Sequence, residues 1–213
     1  MKKRYALLFV FLIVCWVGSV AQKTTDRVHT LSFLAGYSNI LEGTSGLTRQ
    51  IHSYERELSE GVSWDVGYYF HPIKIMGIGL LYSGFSSKGS HEEGSDHVHT
   101  HYIAPQVGLY CYENRYFFIR LSIGAGSMIY RNDSKVFGKS RLVRGSSAAC
   151  NAGVNATLKL TRHWNLEANV QYIHAHIKEV TSLYHGKEIT VEFNDDPLSV
   201  SRLNLSAGIS YSF

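Results

Sequence analysis

Proline is scarce in this chain, 3 in 213 residues, and cysteine equally so. Beyond an apolar segment near the N-terminus there is no run of the roughly 20 apolar residues that a helix needs to cross a bilayer. If the chain spans a membrane, it does so without helices. Charge of one sign is lacking too: the formal charge is +4 at pH 7, and Lys2, Lys3 and Arg4 of the N-terminal segment supply three of those charges. The +1 that remains without them is too small a surplus to carry nucleic-acid binding, which rests on neutralising phosphates. What the chain has instead is 19 Gly and 14 Tyr, a composition suited to closely packed strands with aromatic surfaces.

The N-terminal segment reads as an export signal. Basic Lys2, Lys3 and Arg4 precede an apolar run from Ala6 to Val17, followed by the small residues Gly18, Ser19 and Ala21. Cleavage after Ala21 divides the chain into a signal peptide, 1–21, and one domain, 22–213. The domain holds Cys111 and Cys150, which fall on outward positions of strands that are not neighbours, so two free thiols are expected in a compartment that permits disulfides.

Period-two alternation runs through this domain. Leu203, Leu205, Ala207, Ile209, Tyr211 and Phe213 interleave with Asn204, Ser206, Gly208, Ser210 and Ser212. Leu166, Ala168, Val170 and Tyr172 do the same with Asn165, Glu167, Asn169 and Gln171. Six further segments begin near Leu31, Trp64, Ile78, Ile103, Phe117 and Ala152, giving eight amphipathic strands of about ten residues. Short turns are expected near 71–75, 113–115 and 161–163, and long polar loops over 42–61, 86–100, 131–145 and 185–199.

A soluble barrel would hide its apolar face inside. Here the other face carries Asp65, Arg120, Lys159, Glu167 and Arg202, too many charges for a dry core. The apolar face therefore looks into lipid. Phe70, Phe117, Trp164, Tyr211 and Phe213 form an aromatic belt at one edge of the apolar band, and Tyr37, Trp64, Tyr82 and Tyr172 at the other. The fold class is all-β: an eight-stranded antiparallel up-and-down transmembrane β-barrel, with short periplasmic turns and long external loops.

The signal segment, the alternating strands and the terminal run Leu203 to Phe213 resemble the small outer-membrane β-barrel family, and the stretch His101 to Gly126, with Pro105 inside a strand, is similar to members common in Bacteroidetes. The resemblance implies an outer-membrane location among lipid and lipopolysaccharide. It also implies insertion by the barrel-assembly machinery, which reads the terminal aromatics Tyr211 and Phe213.

The candidate residues fall into four groups. Asp65, Arg120, Lys159 and Glu167 point inward and are expected to form a charge network filling a narrow lumen. Glu167 and Arg120 would meet directly or through the other two, so that reversing both charges would recover part of the loss from changing one. His97, His99 and His101, with His91, Glu92, Glu93 and Asp96 nearby, are candidates for a zinc or copper site. His174 and His176 bring lipid A hydrolases to mind, but His176 stands where such an enzyme carries its serine. Arg131, Lys135, Lys139, Arg141 and Arg144, against Asp133, would suit the phosphates of lipopolysaccharide or another surface polyanion. The expected protein is a non-enzymatic barrel with a side-chain-plugged lumen and no cofactor, serving the envelope or meeting an extracellular ligand at its loops. A narrow ion channel and a lipid A deacylase are the alternatives.

Overall fold

The computed structural model describes residues 28–41, 52–91, 94–136, 139–184, 187–193 and 197–213. The expected signal peptide lies outside them. Twelve elements follow in order: β1 (His29–Ile40), α1 (His52–Ser59), β2 (Glu60–Ile73), β3 (Met76–His91), β4 (Gly94–Glu113), β5 (Phe117–Val136), β6 (Lys139–Lys159), β7 (Trp164–Ile177), β8 (Glu179–Tyr184), β9 (Lys187–Glu192), β10 (Leu198–Ser199) and β11 (Arg202–Ser212).

Strands β1 to β7 pair in sequence, all antiparallel, and β11 closes the ring between β7 and β1. This is the expected eight-stranded barrel. It leaves no open edge in the apolar zone, so the strand ladders close on one another, as lipid requires. The closing seam runs from Thr30 opposite Ser212 to Ile40 opposite Arg202. It is tight enough that a Cβ on Gly36 would lie 2.0 Å from the Leu205 carbonyl oxygen, and one on Gly208 2.1 Å from that of Phe33. Cys111 sits in a bulge of β4, between Tyr110 and Tyr112, and both it and Cys150 are free thiols.

The three short turns fall where the alternation breaks, at 74–75, 114–116 and 161–163. At the opposite end the long loops are largely not loops. The segments 86–100 and 131–145 continue the β3–β4 and β5–β6 hairpins, β8 and β9 form a third ribbon extending from β6, and α1 lies within 42–61. Residues 42–51 and the ribbon tips at 92–93, 137–138 and 185–186 lie outside the described residues.

The reason is an inversion of the two faces. Within the barrel wall, Phe33, Ile78, Val107, Leu121, Val154, Leu166 and Ile209 are exposed on the outside, while Ser, Asn, Asp, Glu and Arg side chains are buried inside. In the ribbon end the outward side chains of β3 to β6 are largely polar, although Leu183, Ile189 and Val191 of the third ribbon are exposed, and the inward ones are largely apolar: Phe85, Val98, Tyr102, Met128, Tyr130, Ile173, Ile177, Val180 and Val200 pack into one buried cluster, joined by Leu58 of α1. The wall is built for lipid and its extension for water. Among the described residues no helix is long and apolar enough to cross a membrane; the strands cross.

Candidate functional site

The polar half of the lumen holds the four inward charges, but as separate centres. Arg120 lies with its guanidinium carbon 3.9 Å from the Tyr69 ring centroid and donates to the Tyr110 hydroxyl at 3.5 Å. Glu167 accepts from Asn155 Nδ2 at 3.2 Å and from the Thr157 hydroxyl at 3.4 Å. Asp65 accepts from the Ser206 hydroxyl at 2.9 Å. Lys159 stands at the turn end, 2.5 Å from the Glu113 carboxylate and 3.0 Å from the Asn114 carbonyl. No ion pair within 4 Å joins any two of the four. The direct meeting of Arg120 and Glu167 expected from the sequence is therefore replaced by solvation with neutral amides, hydroxyls and a ring. Side-chain parity places these residues on one face of the strands but fixes neither their depth nor their direction around the barrel.

The cation that ties the inner wall together is Arg202, fully buried at the top of β11. It donates to the Thr100 hydroxyl and, through Nη2, to the Ser83 carbonyl at 3.1 Å and the Ser83 hydroxyl at 2.9 Å. Its charge and that of Asp65 attract one another across the lumen. It also lies beside the Phe85 ring, 5.4 Å from the centroid, where the polar section meets the apolar cluster. Parity marks Arg202 as inward without joining it to Asp65.

His97, His99 and His101 project from the outer face of β4. The His97 and His99 rings meet edge to face at 5.9 Å, and His101 Nδ1 is 2.8 Å from the Tyr82 hydroxyl. Among the described residues no group of three or more His, Cys, Asp or Glu is placed to hold an ion. Glu92, Glu93 and the His91 side chain lie outside the described residues.

His174 and His176 also face outward, with ring centroids 4.6 Å apart. The structure adds a hydroxyl that the sequence spacing did not offer: Ser201, in the connection before β11, lies with its Oγ 3.2 Å from His174 Nδ1. That hydroxyl is fully buried and also bonds the Ala175 amide at 3.2 Å and carbonyl at 3.3 Å. It clasps two strands where their ladder is interrupted, and it presents no open face to a substrate.

At the turn end Phe213 exchanges backbone hydrogen bonds with His29, and its ring stacks on that imidazole at 5.3 Å. Tyr211 packs between Trp164 and His163, at 5.0 and 5.5 Å. The two terminal aromatics are thus part of the outer rim.

The basic group is spread over the ribbons. Arg131 grips Asp133 through one edge of its guanidinium, Nε and Nη2 donating at 2.9 and 3.0 Å, which holds that carboxyl below the usual carboxylate range. A cleft of about 520 Å³ near the ribbon tips is lined by Lys88, His97, Asp133, Lys135, Arg141 and Leu183.

A closed antiparallel ring with an apolar outer wall, aromatic rims and a polar interior defines an integral β-barrel of the outer membrane. The chain belongs to the outer membrane protein beta-barrel domain family, whose model matches residues 7–213. Solved structures share the fold at low identity. A major outer membrane protein from Thermus thermophilus is 11% identical, with 89% of this chain and 100% of that one covered at a TM-score of 0.61. Neisserial surface protein A is 13% identical, with 87% and 97% covered and a TM-score of 0.54. Ail, the attachment invasion locus protein of Yersinia pestis, solved in complex with the heparin analogue sucrose octasulfate, is 12% identical, with 87% and 99% covered at 0.53. No curated protein matches the sequence.

Proposed function

We propose that this outer-membrane barrel is closed and non-enzymatic, and that it works as a surface-contact protein through its ribbons. The main support is the two-part filling of the lumen. At the ribbon end Phe85, Tyr102, Met128 and Ile173 are buried to 2% exposure or less in the apolar cluster. Below it Arg202, Asp65, Gln106 and Asn151 interlock, with Gln106 Nε2 donating to Asn151 Oδ1 at 2.7 Å. An eight-stranded barrel has an interior just wide enough for its own side chains, and an apolar constriction bars ions by excluding water.

With the short turns periplasmic and the longer segments outside, the three ribbons and α1 stand above the membrane. Their cationic cleft suits a sulfated or phosphorylated saccharide, the chemistry of the ligand in the Ail complex. The mature domain runs from about residue 22, and its terminal aromatics lie where the barrel-assembly machinery would engage the last strand.

Planar-bilayer recording tests the closed lumen: the purified barrel is expected to give no stepwise conductance, and reproducible unitary currents would refute closure. For the chemistry, lipid A from cells with and without the protein is expected to have the same mass. Loss of an acyl chain that depends on His174 would overturn the non-enzymatic reading.

A further inference from the structure

On the outer wall of β4, β5 and β6 the lipid-facing surface ends abruptly in positive charge. Ile129 of β5 and Ile103 of β4 are about half exposed. Two residues beyond Ile129, one step of the pleat or about 7 Å along the strand, stands Arg131. The register sets Arg131 directly opposite His99 on one side and Arg144 on the other, so one ladder row carries two arginines and an imidazole. Both arginines are exposed.

Like charges placed directly opposite destabilise a sheet, and the row contains no acid to relieve them. The nearby carboxylate is Asp133, one step further out, which is hydrogen-bonded by Arg131 and also feels His99 and Arg144. A single anion thus serves two arginines and an imidazole. Glu179, outward on β8, forms no ion pair with either arginine. The row is also one-sided: one step above Tyr37 and Val62, on β1 and β2, the register pairs Asn39 with Glu60.

We propose that this face is a site for a phosphorylated glycolipid of the outer leaflet, the lipid A portion of lipopolysaccharide. The Nη1 side of Arg131, which Asp133 does not use, and the guanidinium of Arg144, with His99 beside them, take a headgroup phosphate, and the acyl chains run down over Ile129, Ile103 and Ile123. One feature selects a lipid over a soluble anion: the row is continuous with the apolar wall, so a chain lying on that wall brings its headgroup to this height. The guanidinium edges account for the phosphate, whose oxygens they match in pairs. The site lies below the tip cleft and is independent of whether the lumen conducts.

The test uses the intact barrel purified in detergent, with native mass spectrometry reading bound lipid. Bisphosphorylated lipid A is expected to stay bound, and the pair Arg131→Gln with Arg144→Gln to weaken it at least about tenfold, the loss expected for charge-assisted hydrogen bonds. Lys187→Gln on β9 should leave binding unchanged. Enzymatically dephosphorylated lipid A should bind the native barrel and the double variant equally weakly. Heat-modifiable gel mobility confirms that each variant is folded, and Arg131→Lys with Arg144→Lys, which keeps charge but not the forks, should fall between the two. Equal retention of phosphorylated and dephosphorylated lipid would overturn the proposal. So would sucrose octasulfate binding as tightly as lipid A with the same dependence on Arg131 and Arg144, because the site would then belong to a soluble polyanion. Conductance in bilayers would sink the closed-lumen reading and leave this result untouched.

Discussion

Replacing Arg202 with Met is expected to destabilise the folded barrel by about 3–5 kcal/mol, the range for removing one member of a buried charge pair. Methionine fills much of the same volume, so the loss reports on charge and hydrogen bonds more than on a cavity. Without the guanidinium, Thr100 and the Ser83 carbonyl lose this donor, the Ser83 hydroxyl keeps that of Asn204, and Asp65 loses the positive charge that attracts it while keeping the Ser206 hydroxyl. An uncompensated carboxylate in that position is the larger part of the penalty. Neutralising it should therefore help: Asp65→Asn is expected to be destabilising in the native background and to return at least about 1 kcal/mol in the Arg202→Met background, the size of coupling found between residues of one network. Urea unfolding of the four proteins in lipid vesicles measures the cycle. Additive effects would mean that the two charges do not sense each other, and Arg202 would then be only a donor to the inner wall.

The barrel wall was legible in the sequence because lipid imposes one rule on every strand. Leu203 to Phe213 and Leu166 to Tyr172 show that rule without a break, and the structure sets them side by side in register, Leu205 opposite Val170 and Ile209 opposite Leu166. The ribbons were hidden for a physical reason. In 94–103 the outward positions are His97, His99 and His101, and the inward ones are Val98, Thr100 and Tyr102. The alternation persists there but its polarity is reversed, and a search for apolar-outward strands reads such a stretch as a polar loop. The reversal also changes the plug. Parity predicts inward charge in the half nearest the short turns and no apolar filling at the other end, which holds Phe85, Met128, Ile173 and their neighbours.

What the sequence could not supply was the pairing of side chains across the lumen. Lys159 meets Glu113, 46 positions away, because both flank turns at the same end. Ser201 reaches His174 where the ladder on β7 is interrupted between β10 and β11, a break that leaves the register unchanged and so has no signature in the alternation. Both contacts depend on which strands become neighbours after closure, and parity carries no information about that.

The assignment of faces makes neighbouring residues respond in opposite ways, and Leu166 with Glu167 is the sharpest pair. Leu166 is 47% exposed on the outer wall between Leu158 and Ile209, while Glu167 is 1% exposed inside. Leu166→Arg puts a charge into lipid, at about 2–4 kcal/mol near the bilayer midplane and less toward the interface. Trp164 of the aromatic rim is two residues away, so the lower part of that range is expected. Leu166→Ala should cost little, since lipid fills the space that a packed core could not. Glu167→Ala leaves Asn155 Nδ2 without its acceptor, at about 1–3 kcal/mol, while the Thr157 hydroxyl keeps Asn155 Oδ1 at 2.7 Å, and there is a further loss because Arg120 keeps its Tyr69 and Tyr110 contacts but no longer feels the carboxylate. Reversing the two charges together, Glu167→Arg with Arg120→Glu, is not expected to restore stability, because each site is lined to suit the charge it now holds: amide and hydroxyl donors around Glu167, ring faces around Arg120. Urea titrations in vesicles of thin and thick bilayers separate the two mechanisms. The penalty for Leu166→Arg should change with bilayer thickness, as the depth of the charge changes, and that for Glu167→Ala should not. A large penalty for Leu166→Ala, or a thickness dependence for Glu167→Ala, would reverse inside and outside and with them every placement made above.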